Sequence, residues 1–240
     1  MSVSLSSYCA FGSTDPYCIS DDNQRHNIIN KVCEKSSCDQ DTFIKTLIRK
    51  SSYDPNINEI KSILLKPDWG GDDDWWLSNL EIDRLQKQLQ HKYPHYTYLK
   101  TNYSSFFDDT IKNQINTYFS DDQIKYIGVV LNTALSGSGV HWYSIFIDKV
   151  NNTVEHYNSS GDKLLPPVKP FVDYVLNKLT HPSYKELSVR HQESGGACGV
   201  YAINYIWLRL SGKSFDDIQH MTLHWKKVST LGRRVLFMRR

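Results

Sequence analysis

No hydrophobic run in the 240 residues approaches the roughly 18 apolar side chains in succession that a membrane span needs. The N-terminus, Met1-Ser-Val-Ser-Leu-Ser-Ser-Tyr8, lacks a basic stretch followed by an apolar one, so no secretory signal is expected. Charge of one sign is not in excess either. Lys+Arg 28 against Asp+Glu 26 exclude a generally basic nucleic-acid coat and an acidic tail protein. Paired C-x-x-C knuckles are also missing. Cys9, Cys18, Cys33 and Cys38 stand at spacings of 9, 15 and 5, and Cys198 stands alone downstream. That spacing argues against zinc, and without a secretory signal lasting disulfides are not the default. The four early cysteines therefore read as free thiols in a small helical region, with a disulfide or a zinc site as the alternatives. No metal or other cofactor is expected.

Apolar residues make up 40% and aromatics 12% of the chain, including Tyr 15 and Trp 6, enough for one or two domains with a real core and too much for a disordered chain. Charge is distributed unevenly. Residues 1–75 hold 12 acids and 8 bases, whereas 224–240 carry Lys226, Lys227, Arg233, Arg234, Arg239 and Arg240 and no acid.

The early segment reads as helical over Asn27–Lys35 and over Thr42–Lys50, the second capped by Asp41. A loop with Pro55, Pro67 and Gly70-Gly71 follows, then the acid run Asp72-Asp73-Asp74. Leu80, Ile82, Leu85 and Leu89 fit a helix over Asn79–Lys92. From residue 124 the period changes. Ile124–Leu131, His141–Asp148 and Thr153–Tyr157 read as strands, the last two joined by an Asn151-Asn152 turn into an antiparallel hairpin. Pro170 starts a helix, Leu187–Arg190 is a further candidate strand, and Cys198 opens an apolar helix that Gly212 ends. Helices, then a small sheet, then helices predict an α+β fold. In the basic tail, Val228, Leu231, Val235 and Leu236 recur at helical spacing, which favours an amphipathic helix with a solvated basic face over a polyanion-binding segment.

Cys198 is the first candidate for chemistry. It follows Ser194-Gly195-Gly196-Ala197 and heads a helix, whose N-terminus favours thiolate. The glycines let backbone approach a substrate closely. A lone cysteine otherwise packs as a small hydrophobe. His141 starts a strand after a glycine-rich loop and is placed to act as base; the alternative is an ordinary strand-end histidine. Asn158 ends the hairpin partner, so its amide oxygen is expected near the imidazole; read alone, Asn158-Ser-Ser-Gly161 is a turn. Gln192, six residues before Cys198, is a candidate to join the Cys198 N–H in holding an oxyanion.

The order His, Asn, Gln, Cys resembles the clan of proteases that process ubiquitin-like modifiers, which includes the adenovirus protease. His141-Trp142, Cys198-Gly199 and Trp76-Leu77-Ser78-Asn79 carry this likeness, the last departing from the clan's Trp-Leu-Asn-Asp by an insertion-like change. Val130-Leu-Asn-Thr133, Gly139-Val-His-Trp142, Ile145-Phe-Ile-Asp148, Glu155-His-Tyr-Asn-Ser159 and Arg190-His-Gln192 narrow it. They are similar to the polyprotein-processing cysteine proteases of large cytoplasmic DNA viruses, the African swine fever virus group. The use of Asn158, where modifier proteases carry Asp, agrees with that group. There a second glutamine stands three residues before the cysteine, and here the position is Gly195, so the oxyanion role is assigned to Gln192.

The resemblance covers roughly residues 75–215. It implies a papain-like, ubiquitin-like-protease fold with a small mixed sheet packed by helices. The division implied is a helical region over 1–70 and a cysteine protease catalytic domain over 71–240. The implied activity is cleavage after Gly-Gly in viral structural polyproteins during virion maturation, in the virion and the infected host cytoplasm, without a cofactor. Removal of ubiquitin or a ubiquitin-like modifier from host conjugates is the alternative. Trp76 and Trp142 would then flank a channel that only glycine threads, with Gly196 against the substrate. Two further readings are weaker: self-cleavage at Gly70-Gly71, where a plain turn is the simpler account, and a polyanion bound by the basic C-terminus.

Overall fold

The computed structural model describes residues 30–34, 46–47, 49–50, 68–69, 76–136, 139–193, 195–221 and 238–239. Its centre is a sheet of five strands: β2 (Tyr96–Tyr103), β3 (Tyr126–Asn132), β4 (Trp142–Asp148), β5 (Thr153–Tyr157) and β6 (Ser183–Glu186), in that spatial order. A separate two-residue strand, β1 (Asp68–Trp69), precedes them. The sheet is mixed. β3–β4 and β4–β5 are antiparallel, whereas the outer pairs β2–β3 and β5–β6 are parallel. The α+β expectation and the small mixed sheet are both observed.

β3 and β4 read as near-continuous apolar runs because both sheet faces are covered there. Alternate residues go to opposite sides. Leu99, Ile127, Val129, Leu131, Tyr143, Ile145, Ile147 and Val154 pack with Ile115 of α2 (Asp109–Ser120) and with Phe171, Val172 and Val175 of α3 (Lys169–Leu176). Tyr96, Val130, Phe146 and Tyr157 instead face Ile82, Leu85 and Leu89 of α1 (Asn79–Lys92) and Val200–Ile206 of α4 (Cys198–Leu210). A short helix, α5 (Phe215–Gln219), closes the described C-terminal side with Phe215 and Ile218 buried.

Local chemistry accounts for α1. Ser78 caps it and Glu81 returns the bond to the Ser78 amide, a reciprocal capping box. Ile82, Leu85 and Leu89 then fall on one face. Its bounds, those of β5, and the Cys198 start of α4 are as the sequence predicts, and Gly212 follows α4 at φ +90°. Gly128 is required by close approach rather than by φ: a Cβ there would lie 2.1 Å from the Tyr96 hydroxyl, which donates to Gln86 Oε1 of α1 at 2.7 Å.

Three expectations change. The fourth strand is Ser183–Glu186, not Leu187–Arg190. Its side chains are exposed or half-buried at the sheet edge, so no apolar pattern marks it, and Leu187 adds only one further bond to His156 O. β2 and α2 occupy a stretch that periodicity leaves unassigned. Met238–Arg239 forms a strand, β7, parallel to β1; Val228, Leu231, Val235 and Leu236, which carry the expected helix of the basic tail, lie outside the described residues. Cys33 is disulfide-bonded, so the free-thiol reading fails there. Linear spacing cannot show which cysteines the fold brings together. The other early cysteines, Gly70-Gly71, most of both early helices and residues 222–237 lie outside the described residues. Among the described residues no helix is long and apolar enough to cross a membrane.

Candidate active site

His141 stands immediately before β4 and Asn158 immediately after β5, so the antiparallel pairing brings them to one end of the sheet. His141 Nε2 lies 2.7 Å from Asn158 Oδ1. The direction of that bond follows from a neighbour. The Ser160 backbone N–H also points at the same amide atom at 3.2 Å. A backbone N–H only donates, so the atom is oxygen, and Nε2 must carry the ring proton. Nδ1 is left with the lone pair of a base. Ser160 Oγ lies 2.7 Å from Asn158 Oδ1 and 2.6 Å from Asp162 Oδ2, and its single proton serves one of them at a time. Burial lowers the His141 pKa below its ordinary 6.5, against the opposing pull of the Asn158 bond and the Asp162 charge. The ring is therefore neutral at neutral pH.

Cys198 is the first residue of α4, carries a thiol outside any disulfide, and is 2% exposed. The N-cap is Ala197, which offers no side-chain acceptor to the first-turn amides. Those N–H groups and the helix dipole favour negative charge at this end. Gly199 packs against Leu77; a Cβ there would come 3.0 Å from the Leu77 Cβ. The Leu77 carbonyl accepts from Trp142 Nε1 at 2.8 Å, next in sequence to His141. The start of α4 is thus tied to the start of β4 through one residue.

A second tie runs through the loop before Cys198. The Ser159 carbonyl accepts from the His191 and Gln192 amides at 2.9 and 2.8 Å. Ser159 Oγ donates to Gln192 Oε1 at 2.8 Å, and Gln192 Nε2 donates to Gly195 O at 2.6 Å. His191 braces this loop, with Tyr157 hydroxyl at Nδ1 (3.0 Å) and Gln219 O at Nε2 (3.2 Å). Gly195 is exposed at φ +85°, and Gly196 is buried. Asn158, Ser159 and Gln192 are each at most 6% exposed.

Trp76 and Trp142 line one groove of about 720 Å³, with Leu77, Asn132, Gly139 and the stretch Lys100–Tyr103 of β2. Trp76 is 49% exposed and Trp142 half-buried. Sequence reasoning missed Ser159, Ser160 and the β2 wall of this groove. The two serines look like turn residues, and nothing local marks their long-range partners.

Residues 76–236, about two thirds of the chain, match the Ulp1 protease family, C-terminal catalytic domain. The chain belongs to that family. It therefore carries a cysteine-type peptidase domain, of a family that acts on protein substrates. It is 25% identical over 164 residues to a protein of Acanthamoeba polyphaga mimivirus named a thiol protease, covering 65% of this chain and 54% of the relative. It is 30% identical over 162 residues to the cysteine protease of an African swine fever virus isolate from Malawi, covering 58% of this chain and 59% of the relative. The match thus spans little more than half the length of either relative. The crystal structure of the African swine fever virus protease aligns over 95% of this chain and 97% of that one, at TM-score 0.67 and 20% identity, which marks a shared fold.

Proposed function

We propose that the protein is a cysteine endopeptidase that cleaves after Gly-Gly in viral structural polyproteins during particle maturation, in the infected cell and the virion. The observation that carries the reading is the 2.7 Å His141–Asn158 contact, which leaves Nδ1 as a base, in a fold whose ties lead to a thiol at a helix N-terminus. In this reading the Cys198 proton passes to His141 Nδ1. The thiolate attacks the carbonyl carbon of the second glycine, and the charge that develops on oxygen is held by the Cys198 N–H and the Gln192 amide. As the C–N bond breaks, the imidazolium returns its proton to the leaving amine. Water then attacks the thioester, His141 takes its proton, and the thiolate departs. Asn158 keeps the ring turned throughout.

Trp76 and Trp142 fit the channel role because they wall the same groove. A residue with a Cβ would clash where glycine passes. The domain division at residues 70 and 71 belongs to the same reading, with 1–70 directing substrate choice and the basic end available to a polyanion. The test is incubation of the full chain with peptides ending in Gly-Gly or Ala-Ala before the cut bond, beside Cys198→Ala. Cleavage of Gly-Gly alone, lost in the variant, is expected. Cleavage of both peptides would overturn the channel. Cleavage of neither, with release of an intact modifier from a conjugate, would replace polyprotein processing with modifier removal.

A further inference from the structure

We propose that Ser159 is a positioning residue that holds the Gln192 amide with its N–H end toward the developing oxyanion, a role that rests on the oxyanion assignment of Gln192 above. A glutamine amide has two ends that differ in sign. Turned one way it donates N–H to a developing negative oxygen; turned the other way it presents a lone pair and repels it. Nothing in the side chain itself chooses between them.

Two neighbours bear on the choice. Gly195 O can only accept, and it lies 2.6 Å from Nε2. Ser159 Oγ lies 2.8 Å from Oε1 and donates its proton there. The reversed amide would keep one hydrogen bond at Ser159 and set two acceptor oxygens against each other at Gly195. The two contacts hold opposite ends of the amide. Nε2 carries two N–H groups, so one stays on Gly195 O while the other is free to turn to the forming oxyanion. The Ser159 bond is on the far end of the amide and persists. Ser159 is 1% exposed, so no water replaces its hydroxyl. Its carbonyl also fixes the Gln192 backbone at 2.8 Å, and its chain neighbour is Asn158. One dipeptide thus orients both the imidazole and the oxyanion donor.

A double-mutant cycle on the full chain separates this role from simple packing. Removing the oxyanion donor with Gln192→Ala is expected to lower kcat on a Gly-Gly peptide by about 10²–10³-fold. Ser159→Ala is expected to lower kcat about tenfold, one net hydrogen bond, with KM within about twofold. The double variant is expected to be no slower than Gln192→Ala alone, because the serine then has no amide to orient. Ser159→Cys keeps the shape and donates weakly, so its kcat falls between Ser and Ala. Additive losses in the cycle, or full kcat in Ser159→Ala or Ser159→Cys, would overturn the Ser159 role while leaving the protease reading intact. An unchanged kcat in Gln192→Ala would overturn the oxyanion assignment and this role with it.

Discussion

Acid is expected to loosen the strand that carries Asn158, through His156. This imidazole sits inside β5 at 1% exposure, edge-on to Tyr143 at 5.4 Å. Its Nδ1 comes within 3.2 Å of Glu186 Oε1. Burial outweighs the carboxylate, with Lys163 pushing the same way as burial, and the pKa falls from 6.5 to about 4. The contact is therefore not an ion pair at neutral pH. In the unfolded chain the same ring takes a proton near 6.5. Between these values the unfolded state binds more protons, so the contribution is full above pH 6.5 and is lost as pH falls toward 4. The whole drop corresponds to about 3 kcal/mol. Urea unfolding of the Cys198→Ala protein, with and without His156→Phe, at about pH 7.5 and about pH 4.5 reads it. The parent is expected to lose about 2–3 kcal/mol more than the phenylalanine variant over that interval. Equal losses in the two proteins would refute the reasoning, because every other titrating group is common to both.

The other predictions concern the site and its frame. Because burial keeps His141 neutral, kcat/KM on a Gly-Gly peptide is expected to hold as pH falls through 6.5 and to drop only below it. Asn158→Ala, which removes a bond favouring the protonated ring, moves that limb lower still and cuts the plateau about tenfold or more; a limb at or above 6.5 in the parent would contradict this. Trp142→Phe strips the donor from the Leu77 carbonyl, a residue 3% exposed, and is expected to cost about 1–3 kcal/mol in urea unfolding. Arg209→Met leaves Glu155 and Asp148, each 1% exposed, without the guanidinium that bonds them at 2.7–3.2 Å. Thermal and urea unfolding should register about 3–5 kcal/mol, and a loss below about 1 kcal/mol would mean the charges find other partners.

Much of this architecture was legible from local rules. The Ser78–Glu81 capping box, the apolar period of α1, the Asn151-Asn152 turn and Gly212 after α4 are interactions within a few residues, so they survive in the linear sequence. β6 was misplaced because an exposed edge strand is held by backbone bonds to β5, which any side chains permit. β2 escaped because its partner β3 begins 23 residues after it ends and pairs in parallel across a register shift. Residue type and order likewise named His141, Asn158, Gln192 and Cys198 as candidates by themselves. Which imidazole nitrogen holds the proton, and which end of the Gln192 amide faces outward, were decided only by the tertiary structure. Those choices depend on donors and acceptors at Ser160, Ser159 and Gly195, one of them 33 residues away from its partner. An imidazole and an amide can each be turned round without changing the sequence, so only their surroundings in space set their direction.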